Sequence, residues 1–79
     1  MNEYYNNIIW QKANGKFTSY LRRMANGVCM LHGHVNGTPR EADQLIFIPR
    51  ACLDWAERAA AQYLATGALP RLGQMSNVI

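Results

Sequence analysis

The sequence predicts a small α+β domain, in which about four antiparallel strands are followed by one amphipathic C-terminal helix packed on one sheet face. Three observations support this class. Asn-Gly occurs at 14–15, 26–27 and 36–37, and both residues tolerate the positive φ angles of tight hairpin turns. Residues 50–66 carry apolar side chains at helical spacing. A chain of 79 residues has room for a single domain.

The segments between the Asn-Gly pairs predict an antiparallel meander. Residues 4–13, 16–25 and 28–35 are rich in the β-branched and aromatic side chains that strands favour. Short helices over the first two segments are the alternative, because several of their apolar residues also recur at helical spacing. Isolated helices of this length are marginal, and three successive Asn-Gly pairs suit hairpins better. The meander is therefore the favoured interpretation.

The second half of the chain predicts a loop, a strand and a helix. Residues 36–43 form a polar loop, and the apolar run QLIFI at 44–48 is typical of a short buried strand. Pro49 ends that strand and suits the start of a helix over 50–66, with Gly67 in the position that follows a helix. One half of the helical wheel is apolar and should face the sheet: Cys52, Leu53, Trp55, Ala56, Ala59, Ala60, Tyr63 and Leu64.

Composition narrows the class of protein. The net charge is +3 and the isoelectric point about 9.2, a mildly basic balance that is compatible with nucleic-acid binding without demanding it. Two cysteines do not make a disulfide framework. The first ten residues lack the pattern of a secretory signal, and no apolar run approaches the ~20 residues of a membrane span. We expect a cytoplasmic protein without membrane partners.

The domain is expected to cover residues 1–67, followed by a partly loose tail at 68–79. A domain of this size buries only about 60% of the surface of its unfolded chain, so a homodimer is one expectation. The tail would offer four apolar residues to such a contact: Leu69, Leu72, Val78 and Ile79.

Two-residue turns at the first two Asn-Gly pairs would fix which side chains share a face. The first turn would pair Trp10 with Ser19, and the second would pair Leu21 with His32. One face, assigned to the helix, then collects Tyr5, Ile9, Tyr20, Met24, Cys29, Leu31 and Val35. The open face collects six side chains suited to a partner: Trp10, Lys12, Phe17, Arg23, His32 and His34. A slip of one residue at either turn would exchange these sets.

A sheet face with aromatic and cationic side chains is typical of proteins that hold single-stranded nucleic acid, because rings stack on bases and cations meet phosphates. The leading hypothesis is a non-enzymatic module that binds nucleic acid through these six residues. The alternative is an inhibitor or adaptor, of the kind that phages and mobile elements use against host machinery and host defence, which docks a host protein complex on the same face. A third interpretation assigns Trp10, Phe17 and Leu21 to an apolar core or interface.

The two histidines predict neither a metal site nor a catalytic site. A structural zinc site needs four ligands, whereas His32 and His34 supply two and Cys29 points to the opposite face. His34 would lie near Ser19, but no carboxylate is placed to orient its imidazole. A small RNA-cleaving toxin is the least supported alternative. We therefore expect no catalytic residue, no metal and no cofactor.

Overall fold

The computed structural model describes residues 7–24 and 27–70 and confirms the predicted α+β class. Four antiparallel strands form one sheet in the order β1-β2-β3-β4, and one helix, α1, follows. The elements are β1 Ile8–Asn14, β2 Phe17–Arg23, β3 Cys29–Val35, β4 Gln44–Ile48 and α1 Leu53–Thr66. Short 3₁₀ turns at Arg40–Ala42 and Arg50–Cys52 precede β4 and α1. Among the described residues, no helix is long and apolar enough to cross a membrane.

The meander interpretation is confirmed over the described residues, and the helical alternative is wrong there. The first hairpin nevertheless turns one residue later than predicted. Asn14 pairs with Phe17, so that Gly15 and Lys16 form the two-residue loop. Gly15 has a φ of 61°, and a glycine with positive φ at the first loop position is what a type II′ turn requires.

The later turn changes the pairing of β1 and β2 by two residues. Trp10 lies opposite Leu21 instead of Ser19. Strand side chains alternate between the two faces of a sheet with a period of two. A shift of two residues therefore leaves Trp10 and Ser19 on the same face, as predicted. A β-bulge between Ile8 and Trp10 leaves Ile9 outside the ladder, with 43% of its surface exposed.

The second loop is longer than predicted. The Met24 N–H donates to the Val28 carbonyl at 2.8 Å, and the Gly27 N–H donates to the Met24 carbonyl at 3.1 Å. These bonds close the connection between Met24 and Val28, in which Gly27 has a φ of 86°. A three-residue hairpin loop that ends in a left-handed glycine is a common alternative to the two-residue turn.

This longer loop makes the predicted register between β2 and β3 wrong by one residue. Leu21 lies opposite Leu31 rather than His32, and Tyr20 takes the place opposite His32. A one-residue shift exchanges the two faces. The helix side of the sheet therefore combines Cys29 and Leu31, as predicted, with the β1 and β2 side chains that the predicted register places on the open face.

Helix α1 packs across β2 and β3 and covers one face of the sheet. Its row of alanines allows a close approach, and Tyr63 lies directly over Gly33. The core is built from both layers: Leu21, Cys29, Leu31, Ile48, Trp55, Ala56, Ala59 and Ala60. The helix ends as predicted, because Gly67 adopts a φ of 81° and its N–H donates to the Tyr63 carbonyl.

The chain after α1 returns to the start of β4. The Leu69 N–H donates to Oε1 of Gln44 at 2.9 Å, and the Gln44 amide donates to the Gly67 carbonyl at 2.8 Å. Leu69 packs against the core and Pro70 is buried. The first residues of the predicted tail are thus held on the domain, while 71–79 lie outside the described residues, as do 1–6.

Candidate functional site

The register of β3 splits the six side chains that were predicted to share one open face. Four lie on the side that carries α1 and two on the far side: Trp10, Lys12, Phe17 and Arg23 on the first, His32 and His34 on the second. The prediction that the histidines lie beside the aromatic and basic residues is therefore wrong. The two groups form separate sites with different chemistry.

The two aromatic residues of the first group lie at the margin of the core. Phe17 packs edge-on against Tyr63, with ring centroids 5.2 Å apart, and approaches Gly67 from the side. Trp10 is partly buried against the core. The ammonium of Lys12 lies 5.3 Å from the centroid of the Trp10 ring, a cation–π distance. Part of the Trp10 side chain therefore packs against the core, while its ring also lies within cation–π distance of Lys12.

A basic cleft opens where Ile9 of β1, the hairpin between β2 and β3, and the start of α1 meet. Its volume is about 300 Å³. Six residues line this basic cleft and define it: Ile9, Arg23, Gly27, Cys29, Arg50 and Leu53. The guanidinium of Arg50 lies so close to Gly27 that a Cβ there would meet its Nη2 atom. Glycine at this position thus leaves room for the arginine.

Arg23 and Arg50 give the basic cleft its charge. Both side chains belong to exposed residues, and neither forms an ion pair within residues 7–24 and 27–70. Two guanidinium groups that share one cleft without carboxylate partners attract anions, and their planar forks match phosphate or carboxylate oxygens. Arg50 was not among the residues singled out from the sequence, because it was predicted as the first residue of the helix and no strand pairing could place it beside Arg23. The structure instead begins α1 at Leu53 and places Arg50 in the 3₁₀ turn before it.

The histidines on the far side belong to a buried polar network centred on Asp43. Nδ1 of His34 lies 2.7 Å from one carboxylate oxygen of Asp43, and Nδ1 of His32 lies 3.4 Å from the other. The Tyr20 hydroxyl donates to Asp43 at 3.0 Å. The Asp43 side chain is 1% exposed. The expectation that no carboxylate orients an imidazole is therefore wrong.

The partners of His32 fix its protonation. The Nε atom of Arg22 donates to Nε2 of His32 at 3.1 Å, so the ring proton sits on Nδ1, which faces Asp43. Burial lowers the pKa of His32 to about 4, with Arg22 acting in the same direction. Burial, together with Asp43, raises the pKa of Tyr20 to about 12. At neutral pH the network therefore holds a neutral His32 stacked on a neutral Tyr20, with ring centroids 4.2 Å apart.

This network resembles the aspartate-oriented imidazole of a general base, but access to it is restricted. His32 has no exposed surface, and both of its ring nitrogens have partners. His34 is 6% exposed, and the Ser19 predicted to lie near it is buried on the opposite face, where its hydroxyl donates to the His32 carbonyl. Within the described ranges, no cluster of three His, Cys, Asp or Glu side chains could hold a metal ion.

Acidification is expected to destabilise the fold through His32. Since its pKa falls from 6.5 in the unfolded chain to about 4 in the folded one, the unfolded chain binds a proton between these values and the folded chain does not. His32 therefore leaves the free energy of unfolding undiminished above pH 6.5 and lowers it as the pH falls towards 4, with a slope of at most about 1.4 kcal/mol per pH unit. Urea unfolding at several pH values measures this slope, and His32→Gln should reduce it. An unchanged slope in that variant would assign the effect to other groups.

Comparison of the chain with protein-family models, with curated proteins and with solved structures finds no match in any of the three.

Proposed function

We propose that the protein is a non-enzymatic module that binds single-stranded nucleic acid along the β1 edge and the basic cleft. The observation that carries this proposal is the pair Arg23 and Arg50, which line one cleft of about 300 Å³ without carboxylate partners among the described residues. Phosphate groups are the natural ligands of such a pair. The net charge of +3 supports the same class of partner.

Trp10 and Lys12 extend the basic cleft along β1. They are two residues apart on a strand, so both project from the helix side, and the Ile9 bulge lies between Trp10 and the cleft. A base that stacks on the accessible side of Trp10 would displace the Lys12 ammonium from the ring, and Lys12 and Arg23 would then bind the phosphates on either side of that base. Phe17, His32 and His34 have no part in this interface, because the first packs on Tyr63 and the histidines lie on the far side.

Binding of labelled single-stranded oligonucleotides, followed by fluorescence anisotropy at several salt concentrations, tests the proposal. We expect binding that weakens with salt, and about tenfold weaker binding for the double variant Arg23→Gln, Arg50→Gln. The slope of log affinity against log salt should fall by about 0.7 for each phosphate contact removed. Trp10→Ala should weaken binding by about 1–3 kcal/mol without removing the salt dependence.

The matched control is Arg58→Gln, which removes an exposed arginine from α1, outside the residues that line the basic cleft. It should change affinity less than twofold. The same loss in Arg58→Gln as in the cleft variants would mean that net charge alone drives binding. An absence of binding at low salt would overturn the proposal.

A protein partner at the same edge is the second candidate, as for a small inhibitor or adaptor that acts on host machinery. It is favoured by the exposed apolar residues of the basic cleft, because Ile9 is 43% and Leu53 is 38% exposed. Apolar side chains beside arginines are typical of protein interfaces. A complex that survives nuclease treatment and is lost in Ile9→Asp would support this candidate over nucleic acid.

A further inference from the structure

The β-bulge in β1 sets the direction of the Ile9 side chain. Ile8 and Trp10 pair with consecutive residues of β2, so Ile9 is the extra residue between two paired positions. Asn7, just before the bulge, has a φ of 64°, an uncommon angle for a residue other than glycine. Its carbonyl accepts a hydrogen bond from the Arg23 N–H at 2.9 Å, which holds this segment against β2. Bulges are over-represented beside functional sites, where they redirect a side chain.

The Ile9 side chain lies between two cavities. One is the basic cleft, and the other, also of about 300 Å³, is lined by Asn7, Ile8, Ile9 and Arg23. Ile9 borders both cavities, and 43% of its surface is exposed. An apolar side chain with open space on two sides can enter between two flat groups of a ligand.

The basic cleft combines apolar walls with cationic ones. Ile9, Cys29 and Leu53 supply the apolar part, and Arg23 and Arg50 supply the charge. Its volume of about 300 Å³ lies at the lower end of the range for small-ligand sites and exceeds what a phosphate group alone would fill. A nucleotide has the matching composition, because its base presents flat apolar faces and its phosphate carries negative charge.

We propose that the basic cleft receives one unstacked base of the single strand, and that Ile9 intercalates between this base and the base stacked on Trp10. This inference rests on the proposed function and gives the bulge a role in it. Arg23 binds the phosphate that joins the two nucleotides, and Arg50 binds the next phosphate along the strand.

The positions of Trp10 and Ile9 support this path of the strand. Both side chains lie on the side that carries α1, because Trp10 packs against the core and Ile9 shares the basic cleft with Leu53. Ile9 also follows directly from Trp10 along β1, so it separates the two places where a base binds.

The cost of separating two bases favours a single strand over a duplex. In a duplex a base pair must be broken as well as a stacked step, whereas a single strand loses the stacking alone. Burial of Ile9 and Leu53 against the faces of the bases offsets that loss. The site should therefore select single strands.

A set of single-stranded oligonucleotides of about six nucleotides, with two adjacent 2-aminopurines at successive positions, tests the intercalation. When these adenine analogues stack on each other, they give a paired circular-dichroism band at wavelengths where proteins do not absorb. We expect this band to collapse in at least one oligonucleotide saturated with the wild-type chain, and to persist with Ile9→Ala. The alanine variant should bind about fivefold more weakly with an unchanged salt dependence, because it removes apolar contact and no charge.

Two further variants serve as controls. Ile9→Leu keeps an apolar side chain of the same volume and should retain the collapse of the band. Leu45→Ala removes an exposed apolar side chain from β4, outside the residues that line the basic cleft, and should change neither affinity nor the band. Far-ultraviolet circular dichroism checks the fold of each variant.

The outcomes separate the intercalation from the proposed function. Salt-dependent binding with a band that persists in every oligonucleotide would overturn the intercalation and leave the proposed function standing. So would a band that collapses equally with Ile9→Ala. An absence of binding at low salt would overturn both.

Discussion

Replacement of Asp43 by asparagine is expected to lower the free energy of unfolding by about 2–3 kcal/mol at neutral pH. The buried carboxylate lies within hydrogen-bonding distance of His34 and accepts a hydrogen bond from Tyr20, and it faces Nδ1 of His32. Asparagine has nearly the same shape, so no cavity forms. Its NH₂ group nevertheless replaces one of the two acceptor oxygens, so a donor then faces a group that donated a hydrogen bond to the carboxylate.

Urea unfolding followed by circular dichroism measures the change. The matched control is Glu41→Gln, which makes the same chemical change two residues earlier, at an exposed position of the same connection. Surface substitutions of this kind usually change stability by less than about 0.5 kcal/mol. If the two variants lose equal stability, the network around Asp43 contributes no more to the free energy of unfolding than an exposed carboxylate does.

The fold class could be predicted from the sequence because its signals are local. An Asn-Gly pair indicates a hairpin turn without reference to distant residues. The apolar stripe of α1 can likewise be recognised from residues close together in the sequence. Register is different, because it depends on where the loop lies relative to the Asn-Gly pair and on whether the loop has two or three residues. Gly15 opens its loop whereas Gly27 closes one, and the dipeptide is the same in both. One extra residue at the second loop was enough to exchange the faces of two strands.

The candidate sites depend on that register and on contacts between distant segments. The sequence predicts Asp43 only as the last residue of a polar loop. In the structure Gly33 pairs with Gln44, so the residue after Gly33, which is His34, lies beside the residue before Gln44, which is Asp43. Only the β3–β4 register could have revealed this. Arg50 joins Arg23 in the basic cleft through the packing of the connection before α1 against the second hairpin, a contact for which the sequence carries no periodic signal.

Gly33→Ala is expected to cost about 2–3 kcal/mol, although alanine is ordinarily the better residue in a strand. A Cβ at position 33 would lie 2.6 Å from Cε1 of Tyr63 and 2.8 Å from Cδ1 and Cζ of the same ring. The ring has no exposed surface and packs on Phe17. It cannot swing aside, so the helix itself must lift from β3 and weaken the core on either side.

A double-mutant cycle with Tyr63 identifies the clash as the cause. Tyr63→Leu removes the ring edge, and in that background Gly33→Ala should cost less than half as much. Tyr63→Phe keeps the ring and removes a hydroxyl that is buried without a hydrogen-bond partner among the described residues, so in that background the full cost should remain. Thermal unfolding of the six chains measures the coupling. An equal cost of Gly33→Ala in the leucine and phenylalanine backgrounds would show that the strand, and not the helix above it, resists the methyl group.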